Sequence, residues 1–162
     1  MARRVFFSFH YERDIWRANV VRQSWVTQDR EEAGFWDASL WEEAKKKGDQ
    51  AIRNMIDKGL ENTSVTAVLI GAQTADREWV NYEIKESYKK GNGLLGVYIH
   101  NIKDRYGNAD AKGKNPFDYL YVEKEGRKVY LSTLYPTYDW VLYNGYGNFG
   151  SWVEKAAKAS GR

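Results

Sequence analysis

The chain is expected to form a doubly wound α/β fold, a mostly parallel sheet with helices on both faces. Three observations carry this reading. Apolar runs of strand length at Val5–Phe9, Ser64–Ile70 and Leu94–Ile99 alternate with segments whose apolar residues recur at helical spacing. The middle run, Ser64-Val65-Thr66-Ala67-Val68-Leu69-Ile70, is β-branched and almost continuously apolar, which marks a central strand covered on both sides. Glycines punctuate the pattern: Gly71 closes that run, and Gly59 and Gly91-Asn92-Gly93 stop the helical segments around it.

Taken in order, Val5-Phe6-Phe7-Ser8-Phe9 is the first buried strand, ended by His10-Tyr11. A helix from about Asp14 to Gln28 follows, with Asp14 as a candidate N-cap and Trp16, Val20 and Val21 on one side. Gly34-Phe35-Trp36-Asp37 reads as a brief second strand and Ala38-Ser39-Leu40-Trp41 as a loop. One helix is expected from about Glu42 to Lys58, with Ile52, Met55, Ile56 and Leu60 at helical spacing. The helix after the central strand runs from about Ala75 to Lys90, with Val80, Ile84 and Tyr88 as its apolar stripe. Residues from about Asp104 are polar and turn-rich, with Tyr119–Val122 and Lys128–Leu131 as a candidate hairpin. Tyr138–Val141 is a last strand or short helix, and a closing helix spans about Ser151 to Ala159. The whole is one domain over residues 1–162: a core of about 4–104, an insertion of about 105–135 and a terminal helix within about 149–160.

Composition narrows the function. Hydrophobic residues make up 43% and charged residues 29% of 162, ordinary for a globular protein. Seven Trp and twelve Tyr are more than such a core needs, which points to a stacking pocket or an association surface as well as to the interior. The net charge of +3 is interspersed rather than striped, so nothing argues for nucleic acid. The absence of cysteine excludes disulfides and thiolate metal sites and fits a reducing cytoplasm. No apolar run has membrane-spanning length and no signal-peptide core is present, so a soluble, cytoplasmic protein is expected, with no membrane association.

Ligands of doubly wound sheets bind beyond the carboxyl ends of the strands, near the switch in strand order. By that rule the site is built from Ser8–Tyr11, Asp37–Trp41, Gly71–Trp79 and His100–Asn101, with Glu83 one turn into the helix leaving this edge. In Trp79-Val80-Asn81-Tyr82-Glu83 the i, i+4 spacing puts Trp79 and Glu83 on one face, with Glu83 at the margin of the buried stripe rather than sealed beneath it. A carboxyl group there has a raised pKa or stabilises a cation, or is an ordinary surface glutamate. No glycine-rich phosphate loop follows the first strand, where Phe9-His10-Tyr11-Glu12 stands. His10 is a substrate contact or a hydrogen-bonding partner of a nearby loop. Asp37 orients ribose hydroxyls or caps the loop before Ser39. No metal set is completed around His10 and His100.

Four ordered blocks add to this. Arg4–Tyr11, Phe35–Trp41, Thr63–Gly71 and Trp79–Ile84, with Asn115–Tyr119 as a further element, resemble the bacterial TIR-like domains of Thoeris anti-phage systems, the ThsB subunit, over roughly residues 1–120. The resemblance implies a flavodoxin-like TIR fold with a five-stranded central sheet and a hairpin or irregular insertion in the C-terminal third. It implies cleavage of the nicotinamide–ribose bond of NAD+, here a substrate with no further cofactor, and release of a cyclic ADP-ribose isomer or related conjugate that activates a separate effector. It further implies a homo-oligomer that responds to a phage trigger. Glu83 matches the catalytic glutamate of TIR enzymes. Phe7, Ser8, Phe9, His10, Asp37, Ser39, Trp41 and Trp79 then become substrate-binding candidates, the aromatic ones as walls that exclude water. Arg77-Glu78 stand where TIR domains commonly carry a serine before the tryptophan. Two rivals stay open: a non-enzymatic interaction module built on the aromatic excess, and a nucleoside deoxyribosyltransferase-like N-glycosidase.

Overall fold

A computed structural model describes residues 3–26, 31–33 and 38–162, with only the backbone of residues 26, 31–33, 38 and 39. The chain runs β1 (Arg4–Ser8), α1 (Ile15–Val26), β2 (Glu31–Ala33), α2 (Ala38–Lys47), α3 (Asp49–Leu60), β3 (Val65–Ile70), α4 (Glu78–Lys90), β4 (Gly93–Tyr98), β5 (Tyr121–Lys124), β6 (Arg127–Tyr130), β7 (Thr137–Asp139) and α5 (Gly145–Ala159). Strands β2-β1-β3-β4-β7 form one sheet, and every pairing in it is parallel. The strand order is that of flavodoxin-like folds, with its switch between β1 and β3. The outer strands are β2, of which three residues are described, and the three-residue β7.

The β3 residues alternate between two apolar layers, as the strand period of two requires. Val65, Ala67 and Leu69 join the larger cluster with Ala18, Val21 and Trp25 of α1 and Phe149, Val153 and Ala157 of α5. Val68 and Ile70 face the other way, with Val80 and Ile84 of α4, Phe117 and Leu131. Full burial of all six β3 residues matches the continuous apolar pattern of its sequence. Helix α4 is well specified at both ends. Glu78 lies in its first turn and Lys89 and Lys90 in its last, each favourable to the helix dipole, and Gly91 ends it at a φ of 85° in the left-handed region.

Several expectations shift by a few residues or a phase. Glu31–Ala33 form a strand, and the strand expected at residues 34–37 lies outside the described residues. Ala38–Trp41 is helical rather than a loop. The single helix expected from Glu42 to Lys58 is two, α2 and α3, parted at Gly48 with a φ of 102° that other residues rarely adopt. Gly59 lies inside α3, which ends at Leu60. On α1 the inner face is Ala18, Val21 and Trp25, a run of i, i+3, i+7, so Trp16 and Val20 are left exposed on the outer side. The hairpin is present as β5–β6, and the last strand as β7.

Gly93 opens β4 against the backbone of Ala156 in α5, closely enough that a Cβ there would collide with a main-chain carbonyl. Gly93→Ala should therefore lower stability by about 1–3 kcal/mol, the usual range for overpacking a filled interior. A shift of the urea midpoint with an unchanged slope is the measurement that checks it.

Candidate active site

The carboxyl end of β1 and the second turn of α4 meet at Glu83. Its side chain has no exposed surface, so the expectation of a marginal, unsealed position is corrected. Neighbouring Val80, Ile84 and Ser87 are also buried, so at this level α4 turns a wide face to the sheet. The Ser8 hydroxyl donates to Oε1 at 2.7 Å and the Tyr11 hydroxyl to Oε2 at 2.6 Å. Removal from water favours the neutral acid and pushes the pKa of Glu83 up to about 8, although both hydroxyl donors pull the other way. Burial and the adjacent Glu83 hold the Tyr11 phenol well above its ordinary range, so it remains a donor.

The helix that carries Glu83 is tied down by a buried polar chain. The Ser87 hydroxyl donates to the Glu83 carbonyl at 2.7 Å and pairs with the Thr66 hydroxyl of β3 at 2.7 Å. Asn92 donates to Thr63 at 2.8 Å and, at a longer 3.4 Å, to Thr66. Such a network inside an apolar interface fixes register, because a slipped helix would leave these groups unpaired.

The candidate substrate-binding residues divide. Ser8 touches Glu83, as described. Phe9 and Trp41 flank Tyr11, with ring centroids 4.4 Å and 4.7 Å away. Phe7 points to the opposite face of the sheet and stacks on Phe149 of α5 at 6.0 Å, because strand neighbours alternate; it is core, not a wall of the site. His10 is nearly buried and its Nδ1 accepts from the Arg13 amide at 3.2 Å, which is the loop-bonding role. Burial and then Arg77 lower its pKa, so it is neutral. Trp79, one turn before Glu83, packs edge-to-face on Tyr82 at 5.7 Å and lies under Arg53 of α3. Ser39 falls in the first turn of α2 with its side chain outside the described residues, and Asp37 lies outside them altogether. His100 sits two strands from His10, next to Asp139 at 4.0 Å.

Tyr11 falls inside the Ser8–Tyr11 stretch expected at the site edge but not among the substrate-binding candidates, and Glu12 lies just beyond that stretch. Nothing in the spacing singles out the Tyr11 hydroxyl as a partner of Glu83, since it lies beyond the strand in a turn that the sequence pattern leaves open. Glu12 accepts from Trp41 Nε1 at 3.3 Å, Lys45 Nζ at 2.9 Å and Arg77 Nη2 at 3.5 Å, and the Lys45 bond does most to hold its pKa below the usual carboxylate range.

A pH signature follows from Glu83. Its folded pKa lies above the unfolded value of 4.5, so the native state holds the extra proton between the two. Its contribution to stability is full below about pH 4.5 and is lost as pH rises through about 8. Glu83→Gln removes that loss. The variant should be the more stable protein at pH 9, by up to about 5 kcal/mol, with the gap closing toward pH 5 in thermal unfolding scans.

Comparisons with known proteins show the family. The family model described as Thoeris protein ThsB, TIR-like domain, matches residues 6–104, which span β1 through β4 and include Glu83. A protein of Bacillus cereus (strain MSX-D12) named "Putative cyclic ADP-D-ribose synthase ThsB1" is 44% identical over an alignment 191 positions long, covering 94% of this chain and 100% of that protein. The chain belongs to the ThsB family of Thoeris TIR-like proteins.

Proposed function

We propose that this chain breaks the nicotinamide–ribose bond of NAD+ and closes the ADP-ribose part into a cyclic ADP-ribose isomer or a related conjugate, as a signal of an anti-phage Thoeris system. The observation that carries the reading is a buried glutamate whose two oxygens each meet a hydroxyl, at the switch edge of a parallel sheet. The name of the Bacillus cereus relative supports the same chemistry.

The residues suit the reaction. When the bond breaks, the electron pair leaves with nicotinamide, which departs neutral, and positive charge develops on the ribose carbon and ring oxygen. An ionised Glu83 opposes that charge in a site of low dielectric, where a fixed carboxylate acts more strongly than in water. Hydrogen bonds from ribose hydroxyls to the same oxygens orient the ring. Phe9 and Trp41 exclude water, so that a nucleophile of the substrate itself takes the cation. In this reading NAD+ is the substrate and no further cofactor takes part. The product reaches a separate effector by diffusion, and the cytoplasmic enzyme works as a homo-oligomer when phage infection triggers it.

Glu83→Gln keeps the size of the side chain and removes its charge, and should cost about 100-fold or more in nicotinamide release. Purified protein assayed with NAD+, alone and with phage-infected lysate, provides the measurement, and a mass spectrum separates cyclic product from plain ADP-ribose. No release in either condition would exclude the NAD+ reading. Because the carboxylate is the active form, kcat/KM of the wild type should rise with pH toward a plateau above about 8, the value to which burial carries Glu83.

A further inference from the structure

The carboxyl group that this chemistry needs is closed off. Glu83 is fully buried and both of its oxygens are taken. A cleft of about 550 Å³ does exist, but it lies between the β5–β6 hairpin, β7 and α5, with Lys124, Leu134, Tyr138 and Lys155 among its walls and no residue of the Glu83 cluster. Each carboxylate oxygen could accept a second hydrogen bond, so what bars a substrate is the complete burial of Glu83, and a group that covers it must move.

The two hydroxyls are not equally held. Ser8 is the last residue of β1, paired with Val68 in the sheet. Tyr11 lies beyond the strand, in the turn before α1; its ring rests between Phe9 and Trp41, and besides Glu83 its hydroxyl reaches the Phe7 carbonyl at only 3.4 Å. Trp41 belongs to α2, and its indole N–H reaches Glu12. The same Glu12 oxygen takes Lys45 of α2 and Arg77 at the start of α4. One half-exposed carboxylate thus ties α2, the turn after β1 and the head of α4 together above the buried one.

We propose that Tyr11 is a displaceable cover, its hydroxyl occupying the Glu83 oxygen that a ribose hydroxyl of the substrate takes, and that Glu12 holds the cover shut through Trp41, Lys45 and Arg77. Two hydroxyls on two carboxylate oxygens is the pattern a ribose diol makes, so Ser8 and Tyr11 satisfy Glu83 until substrate replaces Tyr11. The substrate's identity rests on the NAD+ reading; the clasp does not. An exposed ion pair shifts an equilibrium by no more than about fivefold. Losing that pair should therefore loosen the cover by a factor of this order without opening it fully.

The test uses the full chain as wild type, Glu12→Gln and Lys45→Met, the last altering an exposed side chain in case the first fails to fold. Hydrogen–deuterium exchange is followed over residues 8–13 and 38–47, and nicotinamide release from NAD+ is measured without any trigger. Both variants should speed exchange in both segments by about two- to fivefold and raise untriggered release by a similar factor. Adding Glu83→Gln should abolish the gain in release while leaving the faster exchange. Exchange equal to wild type in both segments overturns the clasp. Faster exchange with untriggered release unchanged, in a protein that does cleave NAD+, overturns the cover. Faster exchange with no NAD+ cleavage by any form, infected lysate included, supports the clasp and removes the NAD+ reading instead.

Discussion

Holding a carboxyl group out of water between a strand end and a helix constrains everything around Glu83. A buried acid without partners costs several kcal/mol, so its site must supply donors that stay in place. Ser8 supplies one from the rigid end of β1, and Tyr11 the other from a turn. The helix must also keep its rotation, since Glu83 lies between Val80 and Ile84 in one direction and Ser87 in the other. The chain from Ser87 through Thr66 to Asn92 serves that need from the far end of α4. The apolar layer of Val68, Ile70, Val80 and Ile84 supplies the remaining burial. The electrostatic demands of the site and the packing of its helix have a common solution.

Much of this was legible in the residues, and the gaps have physical causes. Strand β3 and helix α4 were readable because each is long, strongly patterned and closed by a glycine. The site edge followed from topology, which placed Ser8, Trp41 and Glu83 near one another before any distance was known. The phase of α1 was not legible: Trp16 and Val20 are as apolar as Ala18 and Trp25, and only the tertiary contacts of α5 decide which face turns inward. The depth of Glu83 was also hidden, because helical spacing tells which side a residue faces and not what covers it. Its cover comes from a turn beyond β1, where Tyr11 has no periodic signal. The break at Gly48 was visible as a glycine but overruled by a strong run of helix formers on both sides.

The electrostatics divide into two regimes around Tyr11. Below it, Glu83 is dry and its protonation is governed by burial. Above it, Glu12 is half in water, surrounded by Trp41, Lys45 and Arg77, and stays ionised. Consecutive residues, Tyr11 and Glu12, thus link a carboxyl group governed by desolvation to one governed by ion pairing, two environments that push acids in opposite directions.

The sheet's margins have a consequence for how copies of this protein can meet. Its margin at β7 offers three residues. A ladder that short provides few unpaired amides and carbonyls for an incoming strand, so this margin is a poor template for extending the sheet into a second molecule. Contact between copies on this side is then left to side chains of the neighbouring turn and helix. The turn after β7 presents Val141, Leu142 and Tyr143 to solvent, with Tyr146 beyond them at the start of α5, while Asp139 fixes its shape through the amides of Val141 and Leu142 at 3.0 Å each. An assembly made through such surfaces joins finished molecules by their side chains and leaves each backbone ladder complete within its own chain.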